Sequence, residues 1–292
     1  MPLFGKRPIN AEAQAQAKTD QERLAKGGLP LGAETRLTEI RKNGHFFTSN
    51  LSVNELALTA SEGLRPLGQV MGSTVYHVGW QYTPMYASHE LTTISEAHSH
   101  ARLLAISRLQ QEARLLGASG VIGVRLERKS YDWGANLIEF AASGTAVSLP
   151  DGPAPEHPFV CALSGQEFYA LRRGGFFPVG FAFGTCTYYH VASYGNQWAS
   201  QSWNNVELTD YSQAVYHARH SAMTRLSKEA SRVKAEGVVG VTIEKYINTY
   251  EVDMNGQSRR DLIIEFTALG TAITADGPDM LTIDYALPLA DG

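Results

Sequence analysis

The chain is poor in cysteine, in long apolar runs and in net charge, and each shortage closes off a class of function. Only Cys161 and Cys186 occur among 292 residues, with no Cys-x-x-Cys pair. That is no disulfide framework, and a reducing, cytoplasmic setting is expected. No stretch of about 18 apolar residues is present, so no membrane-spanning helix is expected. The opening residues have no apolar h-region, which argues against a secretory signal. A balance of 25 basic against 29 acidic residues leaves a net charge of −4, which provides no electrostatic reason to bind nucleic acid or an anionic membrane. Also missing are Gly-x-Ser-x-Gly, a Gly-x-x-x-x-Gly-Lys-Ser/Thr loop and a Gly-x-Gly-x-x-Gly turn after a strand. The motifs of serine hydrolases and of phosphate- or dinucleotide-binding folds are therefore not found.

What the chain does contain is an internal duplication. Pro66, Gly68 and Gly72 recur at the same spacing as Pro178, Gly180 and Gly184. Leu51-Ser52-x-x-Glu55 recurs as Leu163-Ser164-x-x-Glu167, and Phe47 as Phe159. His77-Val78 matches His190-Val191 if one residue is inserted near Cys186, which reads as a β-bulge in the second copy. Further on, Glu90-Leu-Thr92 matches Glu207-Leu-Thr209, and His100-Ala-Arg102 matches His217-Ala-Arg219. Gly120-Val-x-Gly-Val124 matches Gly237-Val-x-Gly-Val241. Glu139-Phe140 with Gly144-Thr-Ala146 matches Glu265-Phe266 with Gly270-Thr-Ala272. Four segments follow: an arm at 1–46, modules at 47–153 and 159–278, and a tail at 279–292.

Within a module, Ser52/Glu55 and Ser164/Glu167 have capping-box spacing and open short helices over 53–61 and 165–173. Strands follow at 67–80 and 179–193. Long helices span 95–116 and 212–235, with Ser95 and Ser212 as N-caps and an alanine stripe through Ala101, Ala105 and Ala113 that allows close packing on a sheet. Strands from Gly120 and Gly237 then pair with Leu137–Val147 and Leu262–Ile273. Asn255-Gly256 marks a tight turn in the second copy. The expected fold is α+β: tandem β-α-β-β modules, each a small antiparallel sheet with one long helix on one face, preceded by a short capped helix. One sheet face is left bare, to be solvated or covered by another copy.

These residues resemble the YbjQ family, which carries a heavy-metal-binding label. The resemblance lies in Ala-Arg-x-x-Ala of the helix, in Glu112 to Val124, and in Glu139 to Ala146. It implies a dodecin-like fold and ring-shaped oligomers, commonly pentamers of single modules. Five of these two-module chains would supply ten modules. No ligand motif comes across with the resemblance.

Candidate chemistry is confined to the bare face. Strict alternation places Ile122, Val124 and Leu126 on one side of their strand and Val121, Arg125 and Glu127 on the other. A hairpin centred near Trp133 would oppose Glu127 to Glu139, an arrangement of like charges that calls for a cation, a shared proton or an arginine. In the second copy Glu244 and Glu265 would lie diagonally. His77 and His190 could complete His/Glu/Glu sets for a divalent metal. The competing reading has Arg102, Arg108 or their counterparts neutralise the glutamates. Arg108–Glu112 and Arg225–Glu229 have the spacing of ordinary helix ion pairs, and His98, His100, His217 and His220 read as exposed helix histidines. Trp80, Tyr82, Trp133, Trp198 and Trp203 are expected in or near loops, at subunit contacts or stacked on a planar ligand. Asn10–Lys26 is expected as a flexible tether, the alternative being a helix that contacts another protein. The tail segment 281–287 is left between an edge strand and no fixed structure. The first functional expectation is a non-enzymatic, ring-forming scaffold or small-ligand-binding protein. A divalent- or heavy-metal-binding protein is the second, and an enzyme the third.

Overall fold

The computed structural model describes residues 11–43, 47–79, 84–130, 137–150, 155–193, 205–254 and 257–275. The four tryptophans, Tyr82, the Asn255-Gly256 turn and the tail strand considered above lie outside them. The arm forms α1 (Ala11–Ala25) and α2 (Leu31–Asn43). The first module comprises α3 (Val53–Ser61), β1 (Arg65–His77), β2 (His89–Glu90), α4 (Thr92–Leu116), β3 (Gly120–Ser130) and β4 (Leu137–Ser148). The second comprises β5 (Phe159–Val160), α5 (Gly165–Arg173), β6 (Phe176–His190), α6 (Thr209–Arg232), β7 (Gly237–Met254) and β8 (Gln257–Ala275).

Both capping boxes are present: Ser52 and Ser164 accept from the amides of Glu55 and Glu167, whose carboxylates bond back to the cap amides. The two sheets run β1-β4-β3-β5 and β2-β6-β8-β7. Each therefore carries the same antiparallel three-stranded core with one short strand added from the other half of the chain. In the first sheet β5 joins β3 in parallel, Gly120 beside Phe159 and Val121 beside Val160. In the second, β2 joins the β6 edge at Tyr188 and Tyr189.

The long helices lie so close to their strands that a glycine is required at each crossing. A Cβ at Gly72 would stand 2.0 Å from the Ala105 carbonyl oxygen, and one at Gly184 would stand 2.0 Å from that of Ala222. Two helix starts differ from expectation. The N-caps are Leu91 and Leu208, and neither makes a side-chain cap bond. Ser95, inside the first turn, instead accepts from the Thr187 amide across the module boundary. That bond outweighs local capping because Ser95 is buried.

Strict alternation is interrupted once in β3 and once in β7. Gly123 and Gly240 take positive φ, 62° and 60°, and pairing with the partner strand slips there, between Ile122 and Arg125 and between Val239 and Thr242. This glycine bulge inserts one residue, so Val121 joins Val124 and Leu126 against the helix while Ile122 turns to the opposite face. The bulge expected near Cys186 is absent. β6 pairs with β8 without interruption from Gly180 to His190. Tyr189, not His190, therefore stands where His77 stands in the first module.

The arm is anchored to the module from the end of α1 onward, while most of α1, where a tether is expected, is exposed. Leu37 is fully buried in the first module's core and Leu29 nearly so. Arg108 donates to the Leu24 carbonyl, and Gln111 to that of Gly27. A few well-spaced leucines suffice to dock a helix whose composition is otherwise polar.

Candidate functional site at the junction between modules

α4 lies between the two sheets. One side meets β1 and β4, and the other reaches β6. The face of the second sheet that its own helix α6 leaves open is therefore covered by the first module. Phe181 on that face packs against the first module's core.

At the centre of this junction sits a charged cluster. Arg102 is fully buried, its guanidinium 4.5 Å above the Phe140 ring. It donates to Thr185 Oγ1 at 3.0 Å and reaches Glu265 Oε1 at 3.5 Å and Glu244 Oε2 at 3.8 Å. Arg128 approaches Glu265 Oε2 at 3.0 Å and covers the Tyr246 ring. His98 Nδ1 lies 3.1 Å from Glu265 Oε1, although neither ring nitrogen makes a hydrogen bond of good geometry among the described residues. Burial alone would raise the Glu265 carboxyl, but the contact with His98 and the charges of His98, Arg128 and Arg102 hold it below its ordinary range. Glu244 goes the other way, since burial pushes it up and Arg102 only partly compensates. Two carboxylates thus face two guanidiniums across the module boundary.

Two further ion pairs brace the junction. Glu90 accepts both Nη groups of Arg225, at 2.6 and 2.9 Å. Asp261 accepts Nε and Nη2 of Arg259 at 2.7 and 2.8 Å, along with the Tyr189 hydroxyl and the Ala192 amide. Arg259 also donates to the Met85 carbonyl of the first module. Burial would raise Asp261, but Arg259 and Tyr189 keep it below its usual value.

The proposed His/Glu/Glu sets are not assembled. Glu139 pairs in register with Lys129 and Val75, and Glu127 with Ala141, so the two glutamates are diagonal rather than opposed. His77 is exposed at the end of β1, opposite Leu137. His190 lies on the helix side of β6, edge-on to Tyr211 and 3.5 Å from Asp210. Glu244 and Glu265 are diagonal, as the hairpin register requires, and cations of the protein already face them. Among the described residues no three His, Cys, Asp or Glu side chains converge to hold a metal ion.

The helix ion pairs also went elsewhere. Glu112 accepts from the Met71 amide and faces Arg36, Arg108 donates to Ser73 and Leu24 carbonyls, and Glu229 pairs with Arg232. His98 is buried, not exposed; His100, His217 and His220 are exposed. Cys161 and Cys186 are free and buried, and burial pushes both thiols up to about 12. No helix among the described residues is long and apolar enough to cross a membrane.

The comparisons with known proteins agree with this two-module architecture. A family model described as "Putative heavy-metal-binding" (YbjQ) matches residues 65–150 and again 201–276. The encapsulin nanocompartment protein of Mycobacterium tuberculosis is 38% identical over 268 residues, covering 88% of this chain and 96% of that protein. UPF0145 proteins of Halalkalibacterium halodurans and Clostridioides difficile are each 40% identical, over 87 and 90 residues. Those alignments cover 28% and 29% of this chain, and 80% and 79% of the relatives. No solved structure matches the chain significantly. The chain belongs to the YbjQ family and carries its module twice. Among the described residues no group of three His, Cys, Asp or Glu side chains answers to the metal in the family's description. Glu127 and Glu139 are diagonal neighbours, as are Glu244 and Glu265, and the buried pair already faces Arg102 and Arg128.

Proposed function

We propose that this protein is a non-enzymatic, self-assembling scaffold, built from module rings and working in the cytoplasm as part of a protein compartment. The observation that carries the reading is the likeness, over nearly its whole length, to a protein named for an encapsulin nanocompartment. The chemistry of the junction is consistent with a structural role, since its ionisable groups are paired with one another and buried. Exposed apolar side chains on both modules, among them Met71, Val75, Val241 and Ile243, supply surface for further association. Five chains, contributing ten modules, is the ring to test first. Mass measurement of the untagged chain by light scattering or native mass spectrometry should give a closed multimer that persists on dilution. A monomer at every working concentration would refute the proposal.

A further inference from the structure

We infer that the free edge of β7 receives residues 47–51 of a second copy, repeating between chains the junction that joins the two modules within one. This rests on the self-assembly proposed above.

Within the chain, residues 159–163 serve two modules at once. They are held by their own module through Ala162, whose amide donates to Thr271 Oγ1. They also complete the edge of the preceding module. Beyond the two-residue β5 pairing, Gly123 and Val124 donate to the carbonyls of Leu163 and Cys161 at 2.9 and 3.0 Å. The Phe159 ring sits where a Gly120 Cβ would be, within 2.3 Å of that position. Residues 47–51 are the first module's version of this segment and are held by it in the same way, with the Asn50 amide on Thr145 Oγ1. The residues described before them, 11–43, form the two arm helices and not a module, and Phe47 is 41% exposed.

The complementary vacancy is on β7. Gly237 corresponds to Gly120, yet a Cβ there would meet nothing nearer than Ile273 at 3.9 Å. Val124 is 4% exposed and its counterpart Val241 is 40%. The covering sheet face shows the same asymmetry: Phe183 and Thr187 are 5% and 2% exposed, whereas their counterparts Met71 and Val75 are 52% and 54%. Each module thus exposes the half of the junction that the other buries.

The charges correspond as well. Arg102, with Glu265 and Glu244, has counterparts in Arg219, Glu139 and Glu127, and Arg128 has one in Lys245. Arg219, Lys245 and Glu127 are all exposed. Docking a second copy by the intrachain geometry would set Arg219 against its Glu139. Such a contact uses different surfaces on the two partners, so it propagates until a ring closes.

Two contacts change between chains. Gly165 lets Glu55 approach so closely that a Cβ would lie 2.6 Å from it, and Val53 occupies the matching position. The short helices must therefore stand farther apart there. Arg108, counterpart of Arg225, already serves the arm's Leu24 carbonyl, so Glu207 would share it.

The test is the full chain carrying Thr48→Cys with Val238→Cys. Their counterparts Val160 and Val121 are in-register parallel neighbours buried in one core, at a separation a disulfide spans. Mild oxidation is expected to give a reductant-sensitive ladder of covalent multimers, with neither single variant nor the parent forming one. An assembly of parental size without the ladder overturns the inference and leaves the scaffold reading intact; a monomeric parent overturns both. Independently, Arg219→Glu at an exposed site should weaken assembly about tenfold or more, and adding Glu139→Arg should restore it. Unchanged assembly in Arg219→Glu overturns the inference.

Discussion

Glu265→Leu is the perturbation that most sharply probes the junction inside the chain. Its carboxylate is almost fully buried and faces Arg102, Arg128 and His98. Removing it leaves Arg102, with no exposed surface, holding only Thr185 Oγ1, the Phe140 ring and a carboxylate 3.8 Å away. Breaking a buried ion pair from one side costs about 3–5 kcal/mol, because the remaining charge stays desolvated. At about 2–4 °C per kcal/mol, the melting temperature should fall on the order of 10 °C. Arg102→Met alone should cost a similar amount, since Glu265 and Glu244 would then share Arg128 and His98. The double variant Arg102→Met/Glu265→Leu removes one charge of each sign and leaves Arg128 beside Glu244. It should lie within about 1–2 kcal/mol of the parent, because a buried pair often gains little over apolar residues of similar volume. Urea denaturation of the four proteins gives the cycle. Additive losses, or a Glu265→Leu cost under about 1 kcal/mol, would refute the claim that this pair is buried and coupled across the modules.

Three other outcomes follow from the geometry. Gly184→Ala places a methyl group 2.0 Å from a helix carbonyl, and should cost about 3 kcal/mol or more by forcing α6 off β6; a stability within 1 kcal/mol of the parent, read from urea midpoints, would show the helix can shift freely. Asp261 is held below its ordinary value, so its stabilisation is complete above the unfolded pKa, about 3.9, and is lost as pH falls through the folded one; Asp261→Asn should be less stable than the parent at pH 7 and should lose less stability on acidification, and parallel pH curves would contradict this. Leu37→Ala empties a fully buried site between α2 and the first module. It should cost about 2–4 kcal/mol and make 11–43 sensitive to limited proteolysis, whereas unchanged protection would mean the arm is held elsewhere.

The elements that could be read in the sequence were those governed by local rules. Ser52/Glu55 and Ser164/Glu167 satisfy amides within their own first turns, and the helices they open begin where the spacing predicts. The alanine stripe from Ala101 to Ala113 lies fully buried on its sheet. What escaped depended on contacts between distant segments. Gly123 looks like a small residue in a strand; only its positive φ reveals the bulge that reverses Val121 and Ile122. His98 has no counterpart histidine in the second module, where Val215 replaces it. That asymmetry was the available sign that the helix side of α4 meets something α6 does not. Of the arginines expected to answer the glutamates, Arg102 does so for Glu265 and Glu244, joined by Arg128, which no pattern singled out; both come from the other module. Periodicity alone could not place them there. The two short strands, β2 and β5, carry too few residues for any pattern, yet they link the halves.

An experimental structure of the intact assembly, determined from untagged protein, bears most directly on whether one junction serves both within and between chains. It should place a neighbour's Phe47 ring over Gly237, with Gly240 and Val241 donating to that neighbour's Leu51 and Ser49 carbonyls. A β7 edge open to solvent in that assembly, or paired with a second β7, would contradict the account.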